Sequence, residues 1–238
     1  MSPCHGCHAG CCRAFAVPLT GADVLRIERR LGLNFWEFAC RWEDPEDAIS
    51  QGVVPHFYFD DAPGVPFVLS LMHVDSASFP GTTKCRFLSE QAPTAERPLG
   101  TGQCSIHGEH PMACRVFPTK LSESGQLAVI YDVPEHSQRI PHHAAYQLCP
   151  RPWETDDVDP VDSMANLVVM NFELKFFHQV ATAWNRSPQA WAVFPEFLRM
   201  VYENRVIKDP NAQDVPLEET WPATLPFVRP VVPVRKVA

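Results

Sequence analysis

The first twelve residues of the chain concentrate side chains that bind soft metals. Four cysteines stand there in the spacing C-x2-C-x3-C-C, and they are Cys4, Cys7, Cys11 and Cys12. His5 and His8 lie between them and could add to the same site. The segment is too short, and too poor in other apolar side chains, to bury four thiols by packing alone. Because thiolates bind zinc and iron–sulfur clusters, the spacing predicts a metal centre.

Four more cysteines follow in three separate blocks, and they are Cys85, Cys104, Cys114 and Cys149. A C-x2-C step lets two thiolates reach one ion from a tight turn, and a four-cysteine centre needs four soft ligands. All eight of these cysteines are predicted ligands, enough to complete two sites or to overfill one. Because the ligands come from distant stretches, we expect the metal to contribute much of the stability.

The Cys11–Cys12 pair and Cys40 differ from the other cysteines in their sequence context. Adjacent side chains of an extended backbone point to opposite faces. We therefore expect one member of the pair to bind the metal, and the other to face a second site or stay free. Cys40 stands in a mostly apolar stretch, with no second candidate ligand near it in sequence. We interpret it as a small core residue.

An arginine follows nearly every cysteine block, and these residues are Arg13, Arg86, Arg115 and Arg151. A centre with four thiolates carries a net charge of about −2, whether it holds zinc or an oxidised four-iron cluster. Burying that charge unpaired is costly, and guanidinium groups nearby would offset it. We predict that the four arginines bind beside the cofactor. The alternative is that they are ordinary surface residues.

Two histidines lie within the third cysteine block. His107 and His110 stand between Cys104 and Cys114. They are candidates for metal ligands, for hydrogen-bond donors to ligands, or for acid–base groups. Four other histidines are interpreted as structural, and they are His56, His73, His136 and His178.

The spacing of the cysteines excludes several known centres. Bacterial ferredoxins use C-x2-C-x2-C-x3-C-P, which differs from the order here. Zinc fingers and ribbons use two C-x2-C knuckles, and this chain has one. The sequence also lacks a Gly-rich phosphate loop, a G-x-S-x-G elbow and an H-E-x-x-H motif. Eight cysteines without paired knuckles, together with the family resemblance described below, favour an iron–sulfur cluster, of the 4Fe–4S kind, over zinc, which stays the alternative.

The composition indicates a folded, acidic protein. The chain has 238 residues, 45% of them hydrophobic, and a formal net charge of −8, which argues against broad binding of nucleic acid. We find no signal peptide and no apolar run of about eighteen residues, so we expect a cytoplasmic protein without a membrane partner. Cytoplasmic thiols stay reduced and nine is an odd number, so metal binding is expected rather than disulfides.

Local signals place the first helices after the N-terminal cysteines. A helix is predicted from Thr20, where Asp23 completes a capping box, to Gly32. A second, mostly apolar helix is predicted from Asn34 through Trp42.

The middle of the chain has the composition of strands. Residues 53–74 are predicted as strands divided by a turn in the segment DAPG, and residues 83–89 as one more short strand. Residues 91–103 are predicted as loop. A hairpin is expected with arms at Val116–Leu121 and Leu127–Val133, and with a Ser-Gly turn.

The last third of the chain begins irregularly and then becomes helical. Residues 134–163 show little periodicity. Apolar residues that step by three and four predict a helix over Leu167–Trp184, and Ser187-Pro188 signals the start of another. The proline-rich last thirty residues are expected either to wrap the body or to form a loose tail.

Together these elements predict an α+β fold with a small, irregular β-sheet or hairpin core. That core holds a cysteine-ligated metal centre and is packed by N-terminal and C-terminal helices. Residues 1–160 form the predicted cysteine-cluster metal-binding domain. Residues 161–238 form a helical extension with a proline-rich tail, packed on the same core.

The cysteine blocks in their order resemble the YkgJ-like cysteine-cluster family. The matching pieces are CHGCHAGCC, CRFL, CSIHGEHPMACRVFP and LCP, over about residues 4–150. The resemblance implies chelation of zinc or iron and no particular reaction. The third block departs from the family, which usually has Tyr at the position of His107 and Arg at that of His110. A titratable imidazole there would replace a permanent charge.

The function predicted first is a metal-binding protein that holds a cysteine-ligated iron–sulfur or zinc centre with a redox or modifying role. A related cysteine block occurs in flagellin lysine N-methylases, so the resemblance implies a second hypothesis, a protein methylase that uses S-adenosylmethionine. A structural zinc protein, or one that stores or delivers metal, is the third. Whether the chain is an enzyme, and which protein it binds, stay open.

Overall fold

The computed structural model describes residues 7–131, 133, 143–149 and 151–207. Four predicted features lie outside the described residues, and they are Cys4, His5, His136 and the proline-rich tail.

The described residues form five α-helices, and these are α1 (Cys11–Ala14), α2 (Gly21–Leu31), α3 (Met112–Val116), α4 (Pro160–Asn185) and α5 (Phe194–Ile207). They also form nine strands, and these are β1 (Ala39–Glu43), β2 (Phe57–Phe59), β3 (Ala62–Leu71), β4 (His73–Asp75), β5 (Thr83–Cys85), β6 (Leu88–Gln91), β7 (Thr101–Cys104), β8 (Thr119–Leu121) and β9 (Ala128–Ile130). Helices and small antiparallel sheets together confirm the α+β class.

The largest described sheet has three antiparallel strands in the order β1–β3–β2. Ala39 of β1 pairs with Leu71 of β3. The remaining strands form three antiparallel pairs, which are β4–β5, β6–β7 and β8–β9. Two of these short strands end at a cysteine, β5 at Cys85 and β7 at Cys104. The strand pairs therefore deliver thiols at points where the chain turns.

Helices α4 and α5 pack against the three-stranded sheet through aromatic rings. The Phe57 ring centroid lies 5.1 Å from that of Phe177 and 4.9 Å from that of Phe194. Trp184 lies 4.9 Å from Phe194, and its Nε1 donates to the carbonyl of Tyr58 at 2.7 Å. Tilted and edge-to-face contacts of this kind stabilise beyond the area that they bury. The division of the chain at residue 160 stays a prediction.

Helix α2 confirms the capping signals at both ends. The Thr20 side chain accepts from the Asp23 amide, and the Asp23 carboxylate accepts from the Thr20 amide. Gly32 ends the helix with φ at 65°, a left-handed conformation that glycine adopts without steric cost.

The predicted second helix is wrong after its first turn. The capping box of Asn34 and Glu37 is present, but it begins only a 3-10 turn. From Ala39 the chain is strand β1, because its backbone pairs with β3. Long-range pairing overrides the local helix signal here.

Two further local predictions are wrong. The predicted strand over residues 83–89 is two strands, because the chain turns at Arg86 between β5 and β6. The predicted loop over residues 91–103 contains most of β7, which pairs antiparallel with β6. The sequence Thr-Gly-Gln has few strand-forming residues, so its pairing had no local signal.

The hairpin and the late helices follow the sequence more closely. Strands β8 and β9 pair with Thr119 opposite Ile130, and Gly125 in the turn has φ at 69°. Helix α4 extends the predicted helix and begins earlier, at Pro160 behind the N-cap Asp159. Helix α5 begins not at Ser187-Pro188 but later, with Pro195 in its first turn. None of the helices in the described part of the chain combines the length and hydrophobicity that a membrane span needs.

Candidate metal centre

Cys11 and Cys12 open the four-residue helix α1. Their Sγ atoms lie 3.9 Å apart. The expectation that these side chains point to opposite faces is wrong, because the segment is helical and not extended. Adjacent helical residues are separated by about 100° around the axis, so their thiols can approach one another.

Three more thiols lie close enough to Cys11 to interact with it electrostatically. Cys85 ends β5, Cys104 ends β7, and Cys114 lies in α3. Helix α1 packs against β5, which brings the start of the chain to the end of that strand. We call Cys11, Cys85, Cys104 and Cys114 the cysteine quartet.

The thiols of the quartet raise one another's pKa values. Burial raises the pKa of Cys114, and negative charge at Cys11, Cys85 and Cys104 raises it further. Burial raises the pKa of Cys85 to about 11, with Cys104 and Cys11 adding to the rise. Burial and Cys11 likewise raise the pKa of Cys104. Every pair within the quartet is therefore close enough to interact electrostatically.

A cation is the natural complement of this arrangement. Buried thiols that disfavour one another's ionisation stay protonated when no cation is bound. A metal ion binds the deprotonated form and offsets the repulsion between the sulfur charges. The quartet therefore fits a soft metal centre by the chemistry of its donors.

Cys7 and Cys149 lie at the edge of the quartet. Negative charge at Cys11 and Cys7, together with burial, raises the pKa of Cys149. Each of these two sulfurs also accepts a hydrogen bond. The Ala9 amide donates to Cys7 Sγ at 3.3 Å, and Trp153 Nε1 donates to Cys149 Sγ at 3.2 Å. Such donors stabilise a ligating thiolate.

Cys40 stands apart from these thiols. It lies in β1, where its Sγ donates to the Ser70 carbonyl at 3.6 Å and accepts from Trp42 Nε1 at 2.9 Å. Burial raises its pKa to about 11. These contacts give Cys40 the surroundings of a packed side chain.

Each predicted cofactor arginine has another partner. Arg13 forms a buried ion pair with Glu90 at 2.7 Å, and Arg151 pairs with Asp157 at 2.6 Å. The Arg86 guanidinium lies 5.5 Å from the ring centroid of the residue that follows it. The carboxylates neutralise much of the charge of Arg13 and Arg151. Compensation of the metal centre by these arginines stays a prediction.

The fourth arginine, Arg115, forms hydrogen bonds to the segment that contains His107 and His110. Arg115 donates to the carbonyls of Gly108 and His110, at 2.9 and 3.1 Å. His110 Nδ1 donates to the His107 carbonyl, and the two rings lie 5.0 Å apart. Burial lowers the pKa of His110 to about 4, so this imidazole is neutral at pH 7. Its predicted role at the metal stays a prediction.

Asp23 connects helix α2 to the helix that contains Cys114. Its carboxylate accepts from the Met112 amide at 3.0 Å and from Arg26 Nη2 at 2.7 Å. The Asp23 side chain is 2% exposed, so these bonds are shielded from water. The sequence predicts Asp23 as a cap, but not this second contact, which fixes the start of α3.

Replacing Asp23 by alanine is expected to cost roughly 2 kcal/mol of unfolding free energy, because it removes a cap and leaves a buried amide unpaired. Urea unfolding of the metal-free protein measures the loss. Glu37→Ala is the matched control, because it removes the same capping contact at an exposed turn. Equal losses in the two variants would show that the Met112 contact contributes nothing.

Asp44, Asp47 and His56 form a second cluster of possible metal ligands. Among the described residues, theirs are the only three ligand atoms of His, Cys, Asp or Glu that all lie within 4.8 Å of one another. The sequence interpretation left His56 as structural, although the Asp-x2-Asp spacing was visible. The Asp44 carboxylate accepts from the Ile49 and Ser50 amides at 2.9 Å and from His56 Nε2 at 3.0 Å. Burial opposes its ionisation, but these bonds lower the pKa of Asp44 well below its usual range. The carboxylate therefore already has its partners, and the group anchors the loop before β2.

The same 4.8 Å limit can be applied to the Sγ atoms of the cysteines. No three thiols of the described residues lie within 4.8 Å of one another. A tetrahedral zinc ion, with zinc–sulfur distances of about 2.3 Å, separates its thiolates by only about 3.8 Å. The described thiols therefore do not surround one point at the distances of a zinc site.

Tyr131 and Trp153 are neighbours of the thiols that the sequence interpretation missed. Burial and the charges of Cys11 and Cys149 raise the pKa of Tyr131. The Phe117 ring lies between them, 5.8 Å from Tyr131 and 6.0 Å from Trp153. Trp153 stands four residues after Cys149, which was the one visible signal.

Thiols gathered from separated elements of an α+β fold define a metal-chelating class of domain. A family model named CxxCxxCC, described as a putative zinc- or iron-chelating domain, matches residues 3–132, more than half of the chain. The chain belongs to this family and has its metal-binding role. No curated protein and no solved structure matches the chain.

The chain differs from the spacing in the family's name. That name has two residues between the second and third cysteines, whereas this chain has three between Cys7 and Cys11. The longer step contains His8, Ala9 and Gly10. Ala9 has φ at 58°, so the extra length is accommodated in a left-handed turn.

Proposed function

We propose that the cysteine quartet holds an iron–sulfur cluster of the 4Fe–4S kind and that the protein has a redox role. The observation that supports this most is the spacing of the quartet. All its pairs interact electrostatically, yet no three described thiols are as close as a single zinc ion requires. A four-iron cluster binds one thiolate at each iron, so its four sulfurs stand further apart than those around one ion.

The position of the quartet suits electron transfer. Cys85 is buried, while the residues Cys11, Cys104 and Cys114 are intermediate in exposure, although the thiols of Cys11 and Cys114 are themselves buried. A cluster there would be covered by protein on its inner side and would lie close to the surface on its outer side. Thiolates that are partly shielded and hydrogen-bonded set the reduction potential of such clusters.

We also infer a reducing compartment, such as the cytoplasm. The structure supports this with eight free cysteines among its described residues, including the close Cys11–Cys12 pair. Cysteines that bind a metal as thiolates must be reduced, and a reducing compartment keeps them so. A methylase activity stays a second hypothesis. Measuring the binding of S-adenosylmethionine tests it directly.

Anaerobic purification followed by an absorbance spectrum and analysis of iron, sulfide and zinc tests the cluster. We expect a brown protein with broad absorption in the blue and about four irons and four sulfides per chain. Reduction by dithionite should bleach the colour, as expected of a redox centre. A colourless protein that holds zinc at the quartet would overturn the proposal, and a structural zinc protein would replace it.

A further inference from the structure

Cys12 lies beside the quartet without belonging to it. Its Sγ lies 3.9 Å from that of Cys11. Cys11 in turn interacts electrostatically with the other three members of the quartet. A thiol in this position can react with a ligand of the proposed cluster without holding the metal itself.

The geometry of the pair favours a bond between the two sulfurs. Both thiols are free, and both residues stand at the start of α1. Because they are neighbours in sequence, no loop of the chain has to close to bring them together. A disulfide has a sulfur–sulfur distance of about 2.05 Å, so the two atoms need to approach by only about 1.9 Å.

The backbone around the pair can rearrange at low cost. Helix α1 has four residues, and its N-cap, Gly10, contributes no side-chain hydrogen bond. The Cys12 amide donates to the Ala9 carbonyl at 3.1 Å. The Phe15 amide donates to the Cys11 carbonyl, also at 3.1 Å. A helix of this length is not stable by itself in water, so a new bond between the sulfurs can unwind its first residues and move the Cys11 sulfur.

Two features make such a bond easy to reverse. Adjacent Cα atoms stand about 3.8 Å apart, closer than the roughly 4.4 Å at which the usual range for disulfides begins. The bond is therefore strained, and strained disulfides are readily reduced. Arg13, the next residue, is held by its buried ion pair with Glu90 and donates to Ser76 Oγ at 2.8 Å. These contacts favour the return of α1 to its helical form.

We propose that Cys12 is the redox partner of Cys11, and that in the metal-free protein the two form a reversible disulfide that withdraws Cys11 from the quartet and blocks metal loading. Cys12 attacks a small disulfide such as oxidised glutathione, because the Cys11 thiol is buried, and Cys11 then displaces the second thiol. Two S–H bonds break and one S–S bond forms, while two electrons and two protons reduce the oxidant to two thiols. The disulfide rests on the proposed chelating role of the quartet, but not on which cofactor the quartet holds.

Peptide mass spectrometry on the full chain tests the bond directly. The chain is freed of metal by a chelator under nitrogen and incubated with oxidised glutathione, and its remaining thiols are alkylated. We expect a peptide in which Cys11 and Cys12 escape alkylation and no fragment separates them. Dithiothreitol should make both residues available to alkylation again. Full alkylation of both, or a bond from either to a different cysteine, would overturn the proposal.

Metal uptake measures what the bond does. The oxidised original chain should take up about tenfold less iron and sulfide on reconstitution than the reduced chain, because the quartet lacks one ligand. Cys12→Ser, treated with the same oxidant, should keep its uptake, because Cys11 then has no adjacent thiol. Cys40→Ser is the matched control, since it removes a thiol from β1 and should lose uptake on oxidation as the original chain does. Equal sensitivity of Cys12→Ser and the original chain would refute the switch.

Folding and cofactor identity are separated by two additions. If circular dichroism shows that Cys12→Ser is unfolded, Cys12→Ala, which places a better helix former in α1, takes its place with the same expectation. If the reduced original chain takes up no iron, the iron–sulfur proposal fails. Zinc uptake by the same proteins, together with the mass spectrum, then decides the disulfide by itself.

Discussion

Replacing Cys114 by serine is expected to remove the iron of the quartet, from about four atoms per chain to less than one. Burial raises the pKa of Cys114, and the charges of Cys11, Cys85 and Cys104 raise it further, so Cys114 interacts with every other member of the quartet. A serine hydroxyl is a harder and far less acidic ligand. Iron and sulfide analysis of the anaerobically purified variant measures the loss.

The same substitution should lower the melting temperature of the metal-loaded protein. Binding free energy at a site assembled from separate elements is folding free energy, so a lost cluster is lost stability. Cys40→Ser is the control, because the partners of Cys40 lie in β1 and β3, so the substitution should leave the iron content unchanged. If Cys114→Ser retained all of its iron, the assignment of Cys114 as a ligand of the cluster would be wrong.

Cys7→Ser should give the complementary result. Because Cys7 lies outside the quartet, the variant is expected to retain the four irons of the quartet. Equal loss of iron from Cys7→Ser and Cys114→Ser would instead indicate that all these thiols serve one centre.

Replacing Glu90 by glutamine is expected to destabilise the metal-free protein by about 3 kcal/mol, because it leaves a buried arginine without its counter-charge. Arg13 and Glu90 lie 2.7 Å apart, and their side chains are 1% and 4% exposed. Glu90 also accepts from the Ala77 and Ser78 amides, at 2.7 and 3.0 Å. Urea unfolding measures the free energy.

An exposed ion pair provides the control. Arg41 and Asp61 also lie 2.7 Å apart, but their side chains are 21% and 41% exposed. Asp61→Asn should therefore cost less than about 1 kcal/mol. If Glu90→Gln costs no more than that, the Arg13 pair does not stabilise the fold.

The Glu90 contribution should depend on pH. Burial opposes ionisation, but hydrogen bonds from Ser78, Arg13 and Ser76 lower the pKa of Glu90 from 4.5 to about 2. A lowered folded-state pKa means that its stabilisation is present above pH 4.5 and is lost as the pH falls towards 2. The free-energy difference between the original chain and Glu90→Gln should shrink over that interval. A difference that stays constant would assign the effect to hydrogen-bond geometry.

Glu90 also connects stability to the site. Arg13 directly follows Cys12 in helix α1, so the ion pair fixes the helix that presents Cys11. Glu90→Gln should therefore weaken metal binding without touching a ligand. The sequence places Arg13 beside a cofactor, whereas its partner stands in a strand far along the chain.

Where local chemistry decides the backbone, the sequence predicted the structure. The Thr20 capping box, the Gly32 terminus and the hairpin of β8 and β9 depend on residues close in sequence. Where pairing with a distant part of the backbone decides the local structure, the prediction from sequence was wrong. Asn34 begins a helix that the pairing of β1 with β3 ends after one turn, and β7 exists because β6 lies beside it.

The cysteines by themselves determined the chemistry, because thiols at short spacing, in a segment that cannot bury them by packing, require a soft metal. Only the tertiary structure decided which thiols meet. Short strands that end at Cys85 and Cys104 bring them to Cys11, while strand pairing holds Cys40 elsewhere. The Gln147 carbonyl contacts the His8 ring across 139 residues of sequence, and such a contact exists only in the folded chain.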